Sequence, residues 1–134
     1  MAIADRAGFP VALHVDSASP HEVKLVDKTI EGRFLVQVPK KIVGDKAYDS
    51  DPLDEELARI GIEMIAPHKS NRKKPKTQDG RKLRRYRNRG KVERLFAWLQ
   101  NFRRITTRYE YHIHNYPGMV QLGCIVILLR SFLG

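Results

Sequence analysis

Residues 41–66, KIVGDKAYDSDPLDEELARIGIEMIA, decide the fold. Lys41-Ile42-Val43-Gly44-Asp45 is a short run with apolar β-branched residues that closes on a polar tip, a strand pattern. Asp51-Pro52 has the marks of a helix start, because the first turn leaves unpaired the amide that proline lacks. Leu53, Leu57 and Ile60 then recur at helical spacing, and Gly61 ends the run. Ile62 to Ala66 is a mostly apolar stretch of the kind found in buried strands. Strand, helix and strand with short links predict a right-handed crossover, and so a partly parallel sheet.

Upstream, Ala2 to Ala4 and Pro10 to Val15 flank the turn-like Asp5-Arg6-Ala7-Gly8, which predicts a hairpin. Ser19-Pro20-His21-Glu22 predicts a capped helix carrying Val23, Val26 and Ile30 and ending at Gly32. Phe34 to Val38 reads as extended. Downstream, a long helix is predicted from Leu83 to Ile105, with Val92, Leu95, Phe96, Leu99 and Phe102 as its core stripe. Asn115-Tyr116-Pro117-Gly118 opens a last helix, Met119 to Phe132. It is apolar on most sides, and so is destined for a core or for another chain.

Composition narrows the function classes. With 134 residues, 42% of them apolar, there is material for one domain with a core, residues 1–134. Cys124 is the single cysteine, which excludes a disulfide scaffold and suits a reducing cytoplasm. The longest apolar run, Cys124 to Leu129, falls short of a membrane span. The net charge is +10, and nearly all of it lies in residues 67–91, where 12 basic residues face one acid, Asp79. A basic loop leading into the long helix explains the composition of this window. Such self-repelling density needs an anion, and a nucleic-acid backbone offers one. A membrane surface fits poorly, since the window has almost no apolar face.

Two acids stand out. Asp45 ends a strand, where sites in open α/β sheets collect, although turn aspartates are common. Glu93 is the only acid between Asp79 and Glu110. On an unbroken helix Tyr86, Arg89, Glu93 and Gln100 fall within about 60° of one another, away from the core stripe. Paired carboxylates beside a phosphate-binding surface suit Mg²⁺, a hard cation that keeps open water positions. His14, His21, His68, His112 and His114 form no zinc pattern with Cys124, and Trp98 reads as a helix-packing residue.

At these residues the sequence resembles a family. Val43 to Ser50, VGDKAYDS, looks like the second-aspartate block of insertion-sequence DDE transposases of the IS-five type. Arg84 to Glu110 looks like the same family's glutamate block, Y-x2-R-x3-E-x6-K. Tyr86, Arg89 and Glu93 fit its first three positions, Gln100 stands where the lysine belongs, and Arg103 and Arg104 lie nearby. The likeness extends through Ser17 to Glu22, Ala66-Pro67-His68 and Val120 to Arg130.

The resemblance implies an incomplete RNase H-like α/β fold: a mixed sheet with flanking helices, a long acid-bearing helix and an apolar last helix. It implies metal-dependent DNA cleavage and strand transfer. Asp45 and Glu93 would be catalytic, both binding Mg²⁺ (or Mn²⁺). Arg72, Lys73, Lys74, Arg84, Arg85, Tyr86, Arg89, Gln100, Arg103 and Arg104 would hold DNA phosphates.

One departure shapes the expectation. The family's first catalytic aspartate lies on a strand preceding the hairpin, and neither Asp5 nor Asp16 matches it. The chain therefore reads as the C-terminal part of a transposase, with DNA as partner, the N-terminal part or a second copy as further partner, no membrane, and a bacterial cytoplasmic location. Alone it is expected to bind DNA without sequence preference and to transfer strands poorly. The competing readings are a non-catalytic nucleic-acid-binding module that regulates transposition and a structural RNA-binding protein. The last of these predicts that Asp45 and Glu93 lie far apart.

Overall fold

The computed structural model describes residues 1–78, 84–88 and 90–134, the side chain of residue 88 excepted. The chain runs β1 (Ala2–Ala4), β2 (Pro10–Leu13), α1 (Val26–Glu31), β3 (Lys41–Val43), α2 (Asp51–Arg59), β4 (Glu63–Ile65), α3 (Lys91–Gln100), α4 (Arg103–Thr106) and α5 (Asn115–Leu133), with 3-10 turns at Glu22–Leu25, Lys46–Tyr48 and Arg84–Asn88.

The crossover forms as its sequence pattern predicts. β3 and β4 pair in parallel, with Ile42 opposite Met64 and Lys41 opposite Glu63. The Lys41 and Glu63 side chains meet at 2.9 Å, a cross-strand charge pair. Between the strands, α2 buries Leu53 and Leu57. Ile60 stays 53% exposed and so is not part of that face. Gly61 adopts φ +78°. Its amide bonds Ala58 O at 3.0 Å, and the Ile62 amide bonds Leu57 O at 2.9 Å. These two bonds are a Schellman cap, which needs a residue tolerant of left-handed φ at this position. The cap lets Ile62 fold back into the cluster that holds Leu57, Leu53, Ile42 and Met64.

The hairpin also forms. Asp5 Oδ1 accepts the amides of Ala7 at 2.8 Å and Phe9 at 2.9 Å, and β1 pairs antiparallel with β2. Leu13 of this hairpin shares a second cluster with Leu95, Leu99, Val120, Cys124 and Ile127 of α3 and α5. Phe9 stacks on Trp98, ring centroids 5.7 Å apart, so the tryptophan packs.

Four expectations change. The helix forecast from Ser19 begins later, as a 3-10 turn at Glu22 with no side-chain cap from His21. The stretch Phe34 to Val38 is not a strand: Phe34 to Gln37 forms bends, tied to the hairpin through the Phe34 amide to Val11 O at 2.8 Å. The long helix is interrupted: a 3-10 turn, then α3, then α4 after a break at Asn101-Phe102. The antiparallel and parallel pairings lie in two separate two-stranded sheets, not in one mixed sheet. The α/β class stands.

α5 is 19 residues long and apolar enough to cross a membrane by length and composition alone. An unbroken apolar run does not reveal this, because Gln121 and Gly123 interrupt it. Here α5 buries Val120, Gly123, Cys124 and Ile127 and exposes Leu122, Ile125, Leu129 and Phe132.

Candidate active-site cleft

Asp45 stands just past the C-terminal end of β3. Its Oδ1 accepts the Ala47 amide at 2.8 Å and so caps the Lys46–Tyr48 turn. Among the described residues no hydrogen bond engages Oδ2. The turn lays Tyr48 against Gly44, where a Cβ would stand 2.5 Å from Met64 Cε and 2.7 Å from Tyr48 Cδ2. A side chain at position 44 would have to displace the Met64 methyl and the Tyr48 ring, so the strand end, the aspartate and the tyrosine form one unit. Burial first, then the Glu22 and Asp45 charges and a hydrogen bond to Glu22, push the Tyr48 phenol up to about 12. It therefore remains neutral.

Glu93 lies in the first turn of α3, where the helix dipole favours an acid. Its Oε2 reaches back over Gly90, 3.6 Å from where a Cβ would stand. Its neighbour Arg94 turns away, donating to Ala7 O at 3.4 Å. Among the described residues no ion pair joins Glu93 to its helix neighbours Lys91 and Arg94.

Asp45 and Glu93 line the same cleft, of about 960 Å³, which is bounded by β1, β3 and the start of α3. Its basic side chains are Arg6, Lys40, Lys41, Arg85 and Lys91, and its other acids are Asp5 and Glu22. Val92 and Phe96, read from the sequence as core, face this cleft. The helical stripe turned out narrower than its apolar residues suggested, with Leu95 and Leu99 fully inside. Arg6, Lys40 and Lys41 carry no motif that marks them in the sequence, and Lys91 is marked only as the last residue of the basic window. Glu22, expected as the capping acid of the first helix, and Tyr48 also line this cleft.

The remaining candidates are dispersed. Arg72 is committed internally: Nη1 donates to Asp49 at 2.9 Å, Nη2 to Asp51 at 2.7 Å and Nε to Pro75 O at 3.1 Å. Its side chain is 10% exposed, so a phosphate would have to displace two carboxylates to reach it. Asp49 also accepts from the Lys69 amide at 2.7 Å and meets His68 Nδ1 at 2.9 Å. Thr77 N donates to His68 Nε2 at 3.2 Å, which puts the ring proton on Nδ1. This latch closes the residues after Pro67 onto the start of α2. Burial would raise the Asp49 carboxyl, but the Lys69 amide, His68 and Arg72 outweigh it and hold it below the ordinary range.

Lys74 pairs with Asp51 at 3.0 Å while staying 72% exposed. Lys73 lines a small pocket beside the latch. Arg84 is exposed, Arg85 lines the main cleft and Tyr86 is half-buried. Arg103 lies over the Tyr109 ring at 5.9 Å. Among the described residues, Gln100, Arg103 and Arg104 do not line the cleft, because the break after Gln100 carries the two arginines onto α4. Arg89 lies outside the described residues.

The described residues hold no group of three or more His, Cys, Asp or Glu placed to share a metal ion. The donor chemistry of the cleft still fits a hard divalent cation, with the carboxylates of Asp45 and Glu93, one of them having an oxygen that no hydrogen bond among the described residues engages.

The Transposase DDE domain family matches residues 1–129 of this chain. The chain is 31% identical over 133 residues to the "Putative transposase for insertion sequence element IS402" of Burkholderia cepacia. That match covers 93% of this chain and 59% of the relative, so the chain spans little more than half the relative's length. No solved structure matches significantly. The chain belongs to the Transposase DDE domain family, whose domain is RNase H-like.

Proposed function

We propose that this chain supplies the Asp45 and Glu93 portion of an IS-five-type transposase active site and acts on bacterial DNA. The observation that carries the reading is the shared cleft, where both carboxylates lie among basic side chains. Asp45 would ligate through Oδ2 while Ala47 steadies Oδ1. Glu93 would close from the first turn of α3. Mg²⁺ or Mn²⁺, when bound there, would activate water and stabilise the leaving oxygen of a phosphodiester. Arg85 and Lys91 would neutralise the phosphates beside the acids, and the residues around Lys73, Lys74 and Arg84 would hold the backbone further out. Glu22 and Tyr48 form the cleft's fixed polar wall.

A third acid would come from transposase polypeptide beyond this match. The isolated chain then binds DNA without sequence preference and performs little or no strand transfer. The absence of a three-ligand cluster among the described residues also favours a second reading, a non-catalytic DNA-binding module that regulates transposition. Titration of labelled duplex DNA in a gel-shift assay, with and without Mn²⁺, separates them. The first reading predicts that Glu93→Gln abolishes the Mn²⁺-dependent part of binding, and the second predicts no change.

A further inference from the structure

We infer that the hairpin turn braces the first turn of α3, and that Arg94 is the positioning residue that aims Glu93 into the cleft. A glycine sets the contact. Gly8 is buried at φ +91°, and a Cβ there would stand 3.2 Å from Lys91 O and 3.2 Å from Arg94 Cδ. The turn backbone therefore lies directly on the first turn of α3. The turn is itself stiff. Asp5 Oδ1 holds the amides of Ala7 and Phe9, and the Gly8 amide bonds Asp5 O at 3.1 Å. Arg94 reaches over it and donates to Ala7 O at 3.4 Å. That bond is long, and the arginine stem packed on Gly8 supplies the larger part of the contact. One helical turn further along α3, Phe9 stacks on Trp98.

Lys91, Arg94 and Trp98 form one stripe by their spacing of three and four, and the hairpin grips that stripe. Val92, Glu93 and Phe96 line the cleft. By helix geometry they lie about 130–170° around α3 from the gripped stripe. The grip on one side thus sets the rotation that presents Glu93 on the other. Rolling α3 by about 20° would carry the carboxylate about 2 Å, whereas a functional constellation tolerates about 0.5 Å. Among the described residues no side chain caps α3 at Gly90, so the hairpin turn, not a local cap, fixes the start of the helix. The ligand role of Glu93 rests on the proposed function, whereas the brace itself rests on the contacts of the turn.

The test titrates Mn²⁺ into the full chain by electron paramagnetic resonance. Without metal, it also follows hydrogen exchange of the Leu95 amide, which closes the first turn of α3. Arg94→Ala is expected to weaken Mn²⁺ binding about fivefold and to speed Leu95 exchange by about as much, the effect of one net interaction. The direction is diagnostic, because removing a nearby positive charge would by Coulomb's law alone tighten a cation. Arg94→Lys keeps the stem and a donor, and should restore most of both signals. In the Glu93→Gln background, Arg94→Ala should weaken Mn²⁺ no further. Arg130→Ala removes a charge of the same sign from the exposed side of α5, and should match the unaltered chain in both measurements. Retained protection at Ile42 reports folding. Where Glu93→Gln weakens Mn²⁺, unchanged or tighter binding by Arg94→Ala overturns the inference, as does an equal loss in the Glu93→Gln background. Unchanged Leu95 exchange in Arg94→Ala overturns it in every case. If Glu93→Gln leaves Mn²⁺ binding intact, the proposed function falls, and Leu95 exchange still decides the brace.

Discussion

Asp45, at the end of β3, and Glu93, in the first turn of α3, line one cleft although the basic region separates them in sequence. A crossover unit delivers one acid and a helix docked on a hairpin delivers the other. The two acids therefore face one cleft only when both core clusters are intact.

The unit around Asp45 depends on an absent side chain. Gly44→Val should destabilise the protein by roughly 1–3 kcal/mol through overpacking, because its Cβ overlaps Met64 and Tyr48. Urea unfolding checks the stability. Near-ultraviolet tyrosine signals should shift even where the variant remains folded.

The crossover depends on α2 and its cap. Leu57 has no exposed surface, so Leu57→Ala should cost about 2–5 kcal/mol. Gly61→Ala should cost about 1 kcal/mol, since Gly61 sits at φ +78° with open space around it. A denaturation series that ranked Gly61→Ala above Leu57→Ala would contradict the packing described here.

These two elements show what the sequence made legible. Leu53, Leu57 and Gly61 announce their structure locally, so α2 and its end are readable. The helix forecast from Ser19 ends at Gly32 as expected but starts late, because the cap pattern at Ser19 is not used and the chain enters a 3-10 turn at Glu22. The uninterrupted helix through Tyr86 and Gln100 failed because the chain breaks on either side of α3. Asp45 and Glu93 stood out by the spacing of their motifs. The fate of Arg72 did not, since its partner Asp49 lies 23 residues away and only the fold brings them together.

The latch gives a pH dependence. Asp51 is held below the ordinary range chiefly by the Arg72 hydrogen bond and then by Lys74, and Asp49 is depressed as well. Depressed carboxylates stabilise the fold above their unfolded value, about 3.9. That contribution is lost as pH falls through the lower folded values. Asp54, raised by burial and then by Asp51 and Asp49, acts in the opposite sense. Asp49→Asn should therefore lower the urea midpoint at neutral pH and flatten its fall in acid. Limited proteolysis should cut sooner between Lys69 and Gln78.

DNA binding should separate exposed from committed cations. Removing Lys73, Arg84 or Arg85 should lower the slope of log K against log salt by about 0.9 for each phosphate left without its cation. Arg72→Ala should leave that slope nearly unchanged and instead loosen the latch. Equal slope changes for Arg72 and Arg84 would place Arg72 on the DNA.

The most direct test of the shared site is Mn²⁺ binding, followed by electron paramagnetic resonance, in the unaltered chain, Asp45→Asn, Glu93→Gln and the double variant. The account predicts a bound ion that either single substitution weakens strongly and that the second weakens no further. Equal binding by the unaltered chain and the double variant would contradict it.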